Sequence, residues 1–198
     1  MTNRFHERKI LPCGDTVGLQ EDFAKSGSFI PRSAVEADWS RVQALPVVVV
    51  RNQSGHVLLL RRKETREDDQ LHQKLVIWAG GHVRKEDSEL GDPLKICAAR
   101  ELQEELRLRI DLDELKMLGS VYVDGSNNTS KHVAIVYEWR AKTDYVAVSL
   151  NHAEFFERHG KSLSCKFVDL ESLHKESQAG ELQEEWSRHI LEGFLPAL

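Results

Sequence analysis

The chain has 198 residues, with 27 Lys and Arg against 32 Asp and Glu, a net charge of −5, and 40% hydrophobic residues. An acidic balance without a long Lys/Arg run argues against a binder of duplex nucleic acid, because phosphate contacts need clustered positive charge. No run approaches the roughly 18–20 consecutive apolar residues of a membrane helix, so no membrane partner is expected.

Residues 1–27 are mixed and polar, punctuated by Gly14, Gly18 and Gly27. They read as a loosely packed N-terminal arm ahead of one domain over residues 28–198. The first ten residues lack the apolar core of a signal peptide. Cys13, Cys97 and Cys165 are odd in number, far apart and without CxxC spacing, which points to reduced thiols in a cytoplasmic protein.

Residues 31–40 predict a short helix, with Pro31 at its first position. Two β-rich runs, 46–51 and 56–62, flank Asn52-Gln-Ser-Gly55 and predict a hairpin. A charged loop over 64–70 precedes a strand at 74–78, which ends at Ala79-Gly80-Gly81. Asp92-Pro93 opens a helix running to about Leu108. Strands follow at 117–123, 132–141 and 164–168, and helices at 170–174 and 182–195. Strands outnumber the βαβ units available, so an α/β (α+β) fold with a mixed sheet sandwiched between helices is expected.

The chemistry concentrates in Arg100-Glu-Leu-Gln-Glu-Glu105. On a helix, Glu101, Glu104 and Glu105 share one side. They repel one another there and lie at the negative end of the helix dipole, each effect costing a few tenths of a kcal/mol. A hard divalent cation such as Mg²⁺ would reverse the sign. Glu181-Leu-Gln-Glu-Glu185 repeats the spacing near the C-terminus. Only the first copy follows a strand and a Gly-Gly turn and carries an Arg at its head.

That arrangement resembles the signature of the Nudix hydrolases: Gly, five residues, Glu, seven residues, Arg-Glu-apolar-any-Glu-Glu-any-Gly-apolar. Gly81 matches the first glycine, Arg100, Glu101, Leu102, Glu104 and Glu105 the core, and Leu108 the last apolar position. Two departures stand out. Arg100 lies 19 positions after Gly81, where the pattern has 14. Gly91-Asp92 is read as the pattern's Gly-Glu, which puts the insertion within 84–90. Arg107 stands where a helix-capping glycine is expected. Phe29-Ile-Pro-Arg32, Leu71–Ile77, Gly80–Val83, Lys131-His132 and the Trp-containing C-terminal helix further resemble a bacterial Nudix phosphoesterase-like subgroup.

The resemblance implies hydrolysis of a nucleoside diphosphate linked to another group, with Mg²⁺ (or Mn²⁺) as cofactor, and a homodimer as a common assembly. Glu101, Glu104 and Glu105 are the implied metal ligands, with the carbonyl of Gly80 or Gly81 completing the shell. Arg100 is implied to position the glutamates. A further carboxylate is sought in Glu154 or Glu157. His82, Arg62 and Gly80 are the expected substrate contacts, with Arg61, Arg66, Lys74, His72 and His132 nearby. Trp78 and Cys97 read as packing residues. Two other readings share the fold: a nucleotide sensor without catalysis, and an isopentenyl-diphosphate isomerase. Intact glutamates weigh against the first, and the lack of a Cys beside Ala79-Gly80-Gly81 against the second.

Overall fold

The computed structural model describes residues 5, 9–63, 73–89, 91–125 and 128–196. In chain order its elements are β1 (Ile10–Pro12), α1 (Cys13–Ser26), α2 (Arg32–Ala37), β2 (Gln43–Arg51), β3 (Val57–Arg61), β4 (Leu75–Val76), β5 (Ala79–Gly80), α3 (Pro93–Leu106), β6 (Lys116–Tyr122), β7 (His132–Arg140), β8 (Arg158–His159), β9 (Ser162–Leu163), β10 (Lys166–Val168), α4 (Leu170–Gln178) and α5 (Glu185–Phe194).

The main sheet runs β1-β6-β7-β2-β3-β10, with β4 on β3 and β5 on β2. It is mixed. β2 and β7 are parallel from Gln43↔His132 to Arg51↔Arg140, while β6 pairs β7, and β3 pairs β2 and β10, in the antiparallel sense. The run Val47–Val50 is buried on both faces, as expected of a central strand with a parallel neighbour. α3 packs on β2 and β5, and α1 and α5 pack on β6.

Two expectations change. The strand expected at 74–78 is two pieces: Leu75–Val76 pairs with β3, and Ala79–Gly80 crosses to β2. Ile77 between them gives its N–H to Ser187 Oγ at 3.2 Å, so α5 supplies the acceptor that a neighbouring strand would have offered. The N-terminal segment is not a loosely packed arm. Ile10–Pro12 pair with Val121–Gly119, Leu11 and Leu19 are buried, and Thr16 Oγ1 meets Ser120 Oγ at 3.0 Å. Three residues are too few for an alternating pattern to be visible, which is why β1 escapes a sequence reading. The loop at 64–70, with Arg66, and His72 lie outside the described residues.

Candidate active site

α3 begins as the sequence indicates. Asp92 caps it, accepting from the N–H groups of Leu94 and Lys95. Its apolar side, with Leu94, Cys97, Ala98, Leu102 and Leu106, is buried. That docking turns Glu101 and Glu105 inward beside the Gly80-Gly81 turn. Glu104 remains half exposed at the rim.

Glu105 is the most deeply set of the three. Its Oε1 accepts from Arg62 Nη1 at 2.7 Å and its Oε2 from the Gly80 N–H at 2.9 Å. Burial nevertheless pushes its carboxyl up to about 7, against the pull of Arg62. Burial also raises Glu101, with Arg100 opposing. A methyl group on Gly81 would stand 2.5 Å from Glu101 Oε1, so the turn leaves room for the carboxylate only because no side chain is there. Gly80 is equally constrained, with a methyl position 2.2 Å from the Pro46 carbonyl.

Arg100 sits among acceptors. Its Nη1 reaches Glu101 Oε1 at 2.5 Å and Glu104 Oε2 at 3.2 Å, and its Nη2 reaches the His82 carbonyl at 3.0 Å. Nε and Nη2 grip Asp87 at 3.0 Å each, the bidentate geometry of a guanidinium–carboxylate pair. Asp87 is buried, which by itself raises its carboxyl. The hydrogen bonds from Arg100 and the Arg84 N–H outweigh that and hold it below its usual range.

Asp87 was missed by the sequence reading, and it corrects the placement of the insertion. It stands six positions after Gly81, the spacing of the signature's first glutamate, and it meets the signature arginine. Asp92 is a helix cap, so the extra residues fall between Asp87 and Arg100. Arg84, also missed, holds Glu104 by two bonds of 2.9 Å.

Most of the other expected residues line the same cleft. Arg62, singled out for substrate, is buried between Trp78 and Phe155, 5.2 and 4.8 Å from the ring centres, and faces Glu105. Glu154 lies 3.6 Å from Arg62 and lines the same cleft, whereas Glu157 is exposed in the turn before β8 and does not. His82 Nε2 meets His132 Nε2 at 3.3 Å on the cleft wall. Lys74 lines the cleft, while Arg61 is spent on the Gln73 carbonyl. Cys97 is fully buried, its thiol directed to the Gly81 carbonyl at 3.6 Å and pushed far up by burial. The cleft, about 1900 Å³, extends from these carboxylates to α1 and α2. Among the described residues, no three His, Cys, Asp or Glu side chains are gathered in ion-binding geometry. Each signature glutamate is turned to a guanidinium instead.

The second acidic copy resolves as structure. Glu184 is the cap of α5, accepting from Trp186 N, Ser187 N, Ser187 Oγ and Trp78 Nε1. α5 starts at Glu185, so the three glutamates do not share a helix face.

The family model of the NUDIX domain matches residues 41–190. The chain belongs to the Nudix family. It is a Nudix hydrolase, and its mixed sheet with flanking helices is the Nudix fold expected from the sequence. Tm1382, a protein assigned to the Nudix hydrolases, is similar over 98% of this chain and 92% of that one, with 21% identity and a TM-score of 0.70. A NUDIX hydrolase from Alicyclobacillus acidocaldarius is similar over 78% and 91%, with 16% identity and a TM-score of 0.60. A bifunctional NMN adenylyltransferase/ADP ribose pyrophosphatase from Francisella tularensis, complexed with AMP and Mn ion, is similar over 90% of this chain but 45% of that one, with 14% identity and a TM-score of 0.52. No curated protein matches the chain. Among the described residues, no helix is long and apolar enough to cross a membrane.

Proposed function

We propose that this Nudix hydrolase cleaves a phosphoanhydride bond in a nucleoside diphosphate linked to another group, using a divalent cation. The observation that carries the reading is that Glu101, Glu104 and Glu105, the first two bound by Arg100, line one cleft together with the Gly80-Gly81 turn. Its nucleotide part draws support from the AMP and Mn ion in the Francisella tularensis neighbour.

The donor set fits a hard cation. Three carboxylates and the backbone of Gly80-Gly81 offer oxygen alone, which suits Mg²⁺ or Mn²⁺. The empty methyl position at Gly81 keeps Glu101 beside that backbone. Glu101, Glu104 and Glu105 would hold the ion, with the Gly81 carbonyl. When bound, it neutralises diphosphate oxygens and makes water a better nucleophile at neutral pH.

The chain's own residues do the remainder. Asp87 fixes the plane of Arg100, and Arg100 fixes Glu101. Arg62 and the Gly80 N–H hold the two oxygens of Glu105 in a set direction. His82 and His132 line the cleft where they can contact substrate, and Glu154 is the nearest extra carboxylate. A homodimer and a cytoplasmic location complete the proposal.

The test is a screen over nucleoside diphosphate derivatives with Mg²⁺ or Mn²⁺, in which a coupling phosphatase that spares the intact substrates releases phosphate from the monoester products, run beside Glu105→Gln. Metal-dependent turnover that falls by orders of magnitude in the variant is the expected result. Turnover that ignores the metal or survives the substitution would sink the reading.

A further inference from the structure

Beyond the carboxylates, the cleft changes character. Its far wall is made by α1, α2 and the loop between them, all preceding residue 41, where the family model begins. This wall is firmly tied to the domain. Gln20 Nε2 donates to the Tyr137 hydroxyl at 3.0 Å, and the Lys131 ammonium donates to the Glu36 carbonyl while lying 3.8 Å over the Trp39 ring.

The wall offers a diphosphate little. Arg32 pairs with Glu36 at 2.6 Å and Arg41 with Asp38 at 2.8 Å, so these charges are largely neutralised within it. What it does present is an open ring. Phe29 is 52% exposed and lines the cleft. The other aromatics lining it are unlike it. Trp78 and Trp186 are 3% and 4% exposed and pack on each other, and Phe23 packs against the core. Trp78, a residue whose ring could have stacked on a base, has both its N–H and one face taken by Glu184 and Arg62.

We propose that Phe29 is the platform on which the base of the substrate stacks, so that the segment before residue 41 supplies the nucleoside-binding end of the cleft. The inference rests on the hydrolase reading for the other end of the cleft. Phe29 and the carboxylates line one cleft, and a base joined through a sugar to a diphosphate offers an aromatic end to the first and a charged end to the second. Stacking uses the face of the base and not its edge, so this platform accepts purines and pyrimidines and leaves discrimination to polar neighbours.

The test reads binding without turnover. Calorimetry measures AMP, GMP, UMP and ring-free inorganic pyrophosphate against the unmodified protein, Phe29→Ala and Phe29→Tyr. The expected result is a loss of roughly 5- to 150-fold in nucleotide affinity for Phe29→Ala, the range for base stacking on an aromatic ring. Phe29→Tyr retains affinity, and pyrophosphate is unaffected by either change. Equal affinity across the three proteins, no nucleotide binding at all, or a change confined to self-association would overturn the proposal. If nucleotides bind through Phe29 but the screen shows no hydrolysis, the platform stands and the hydrolase reading falls. Hydrolysis with nucleotide affinity indifferent to Phe29 has the opposite meaning.

Discussion

At the scale of single residues, Glu105 is a carboxyl held in a buried place that disfavours its charge. Its carboxyl titrates near 7 in the folded chain and near 4.5 as a free group, so the folded state holds the extra proton between these pH values. Stability contributed by this residue therefore falls as pH rises from about 4.5 to about 7, by roughly 3 kcal/mol in the metal-free protein. Urea denaturation of the metal-free protein across pH 4–8 should show that slope, and Glu105→Gln should lack it. An equal slope in both proteins would place its origin elsewhere. Arg107 is strained in a different way. It ends α3 at φ 57° and ψ 25°, a left-handed conformation that costs a residue with a Cβ about 1 kcal/mol. The Arg107→Gly variant should be more stable by about that amount with turnover unchanged, since the side chain is exposed and lies outside the cleft.

At the scale of elements, two helices with the same acidic spacing have opposite fates. α3 is already in its second turn before Glu101 arrives, so its glutamates share a side. In the second copy, Glu184 folds back to cap the helix and Glu185 becomes its first residue. Spacing alone could not separate them, because the difference lies in where the first turn is nucleated. Glu184→Ala should destabilise the protein by roughly 2–4 kcal/mol, combining a lost cap with an orphaned Trp78 N–H, as measured by denaturant midpoint. A shift under half a kcal/mol would show that water replaces the carboxylate. The glutamates, the arginine and the glycine turn were legible because their chemistry is written in fixed spacings. Asp87 was equally available at six positions from Gly81 and was passed over in favour of Asp92, whose following proline marks a cap. Arg62 reads as a substrate contact in sequence. Only the aromatic pair that encloses it makes it the partner of Glu105.

At the scale of the whole molecule, the N-terminal segment closes the edge of the sheet. Through β1 it covers the backbone of β6, and through Leu11 and Leu19 it buries apolar surface worth roughly 1.5–3 kcal/mol per side chain. Removal of residues 1–27 should lower the melting temperature and leave β6 as an open edge prone to self-association. Size-exclusion chromatography and thermal melts would detect both effects, and a monomer of unchanged stability would count against this role.

The parallel ladder of β2 and β7 also has a kinetic meaning. Its first pair joins Gln43 to His132, and the chain between them contains β3, β4, β5, α3 and β6. Closing a loop of that length costs about 4 kcal/mol of chain entropy beyond a constant, and nothing in the ladder repays it until the ends meet. Refolding should therefore be governed by this long-range closure and run in the slower range of sheet proteins, not at the speed of helix formation. The signature glutamates and their partners Arg62, Gly80, Arg84 and Arg100 all lie inside that loop, so the contacts that shape the cleft's acidic end can form before the ladder closes around them.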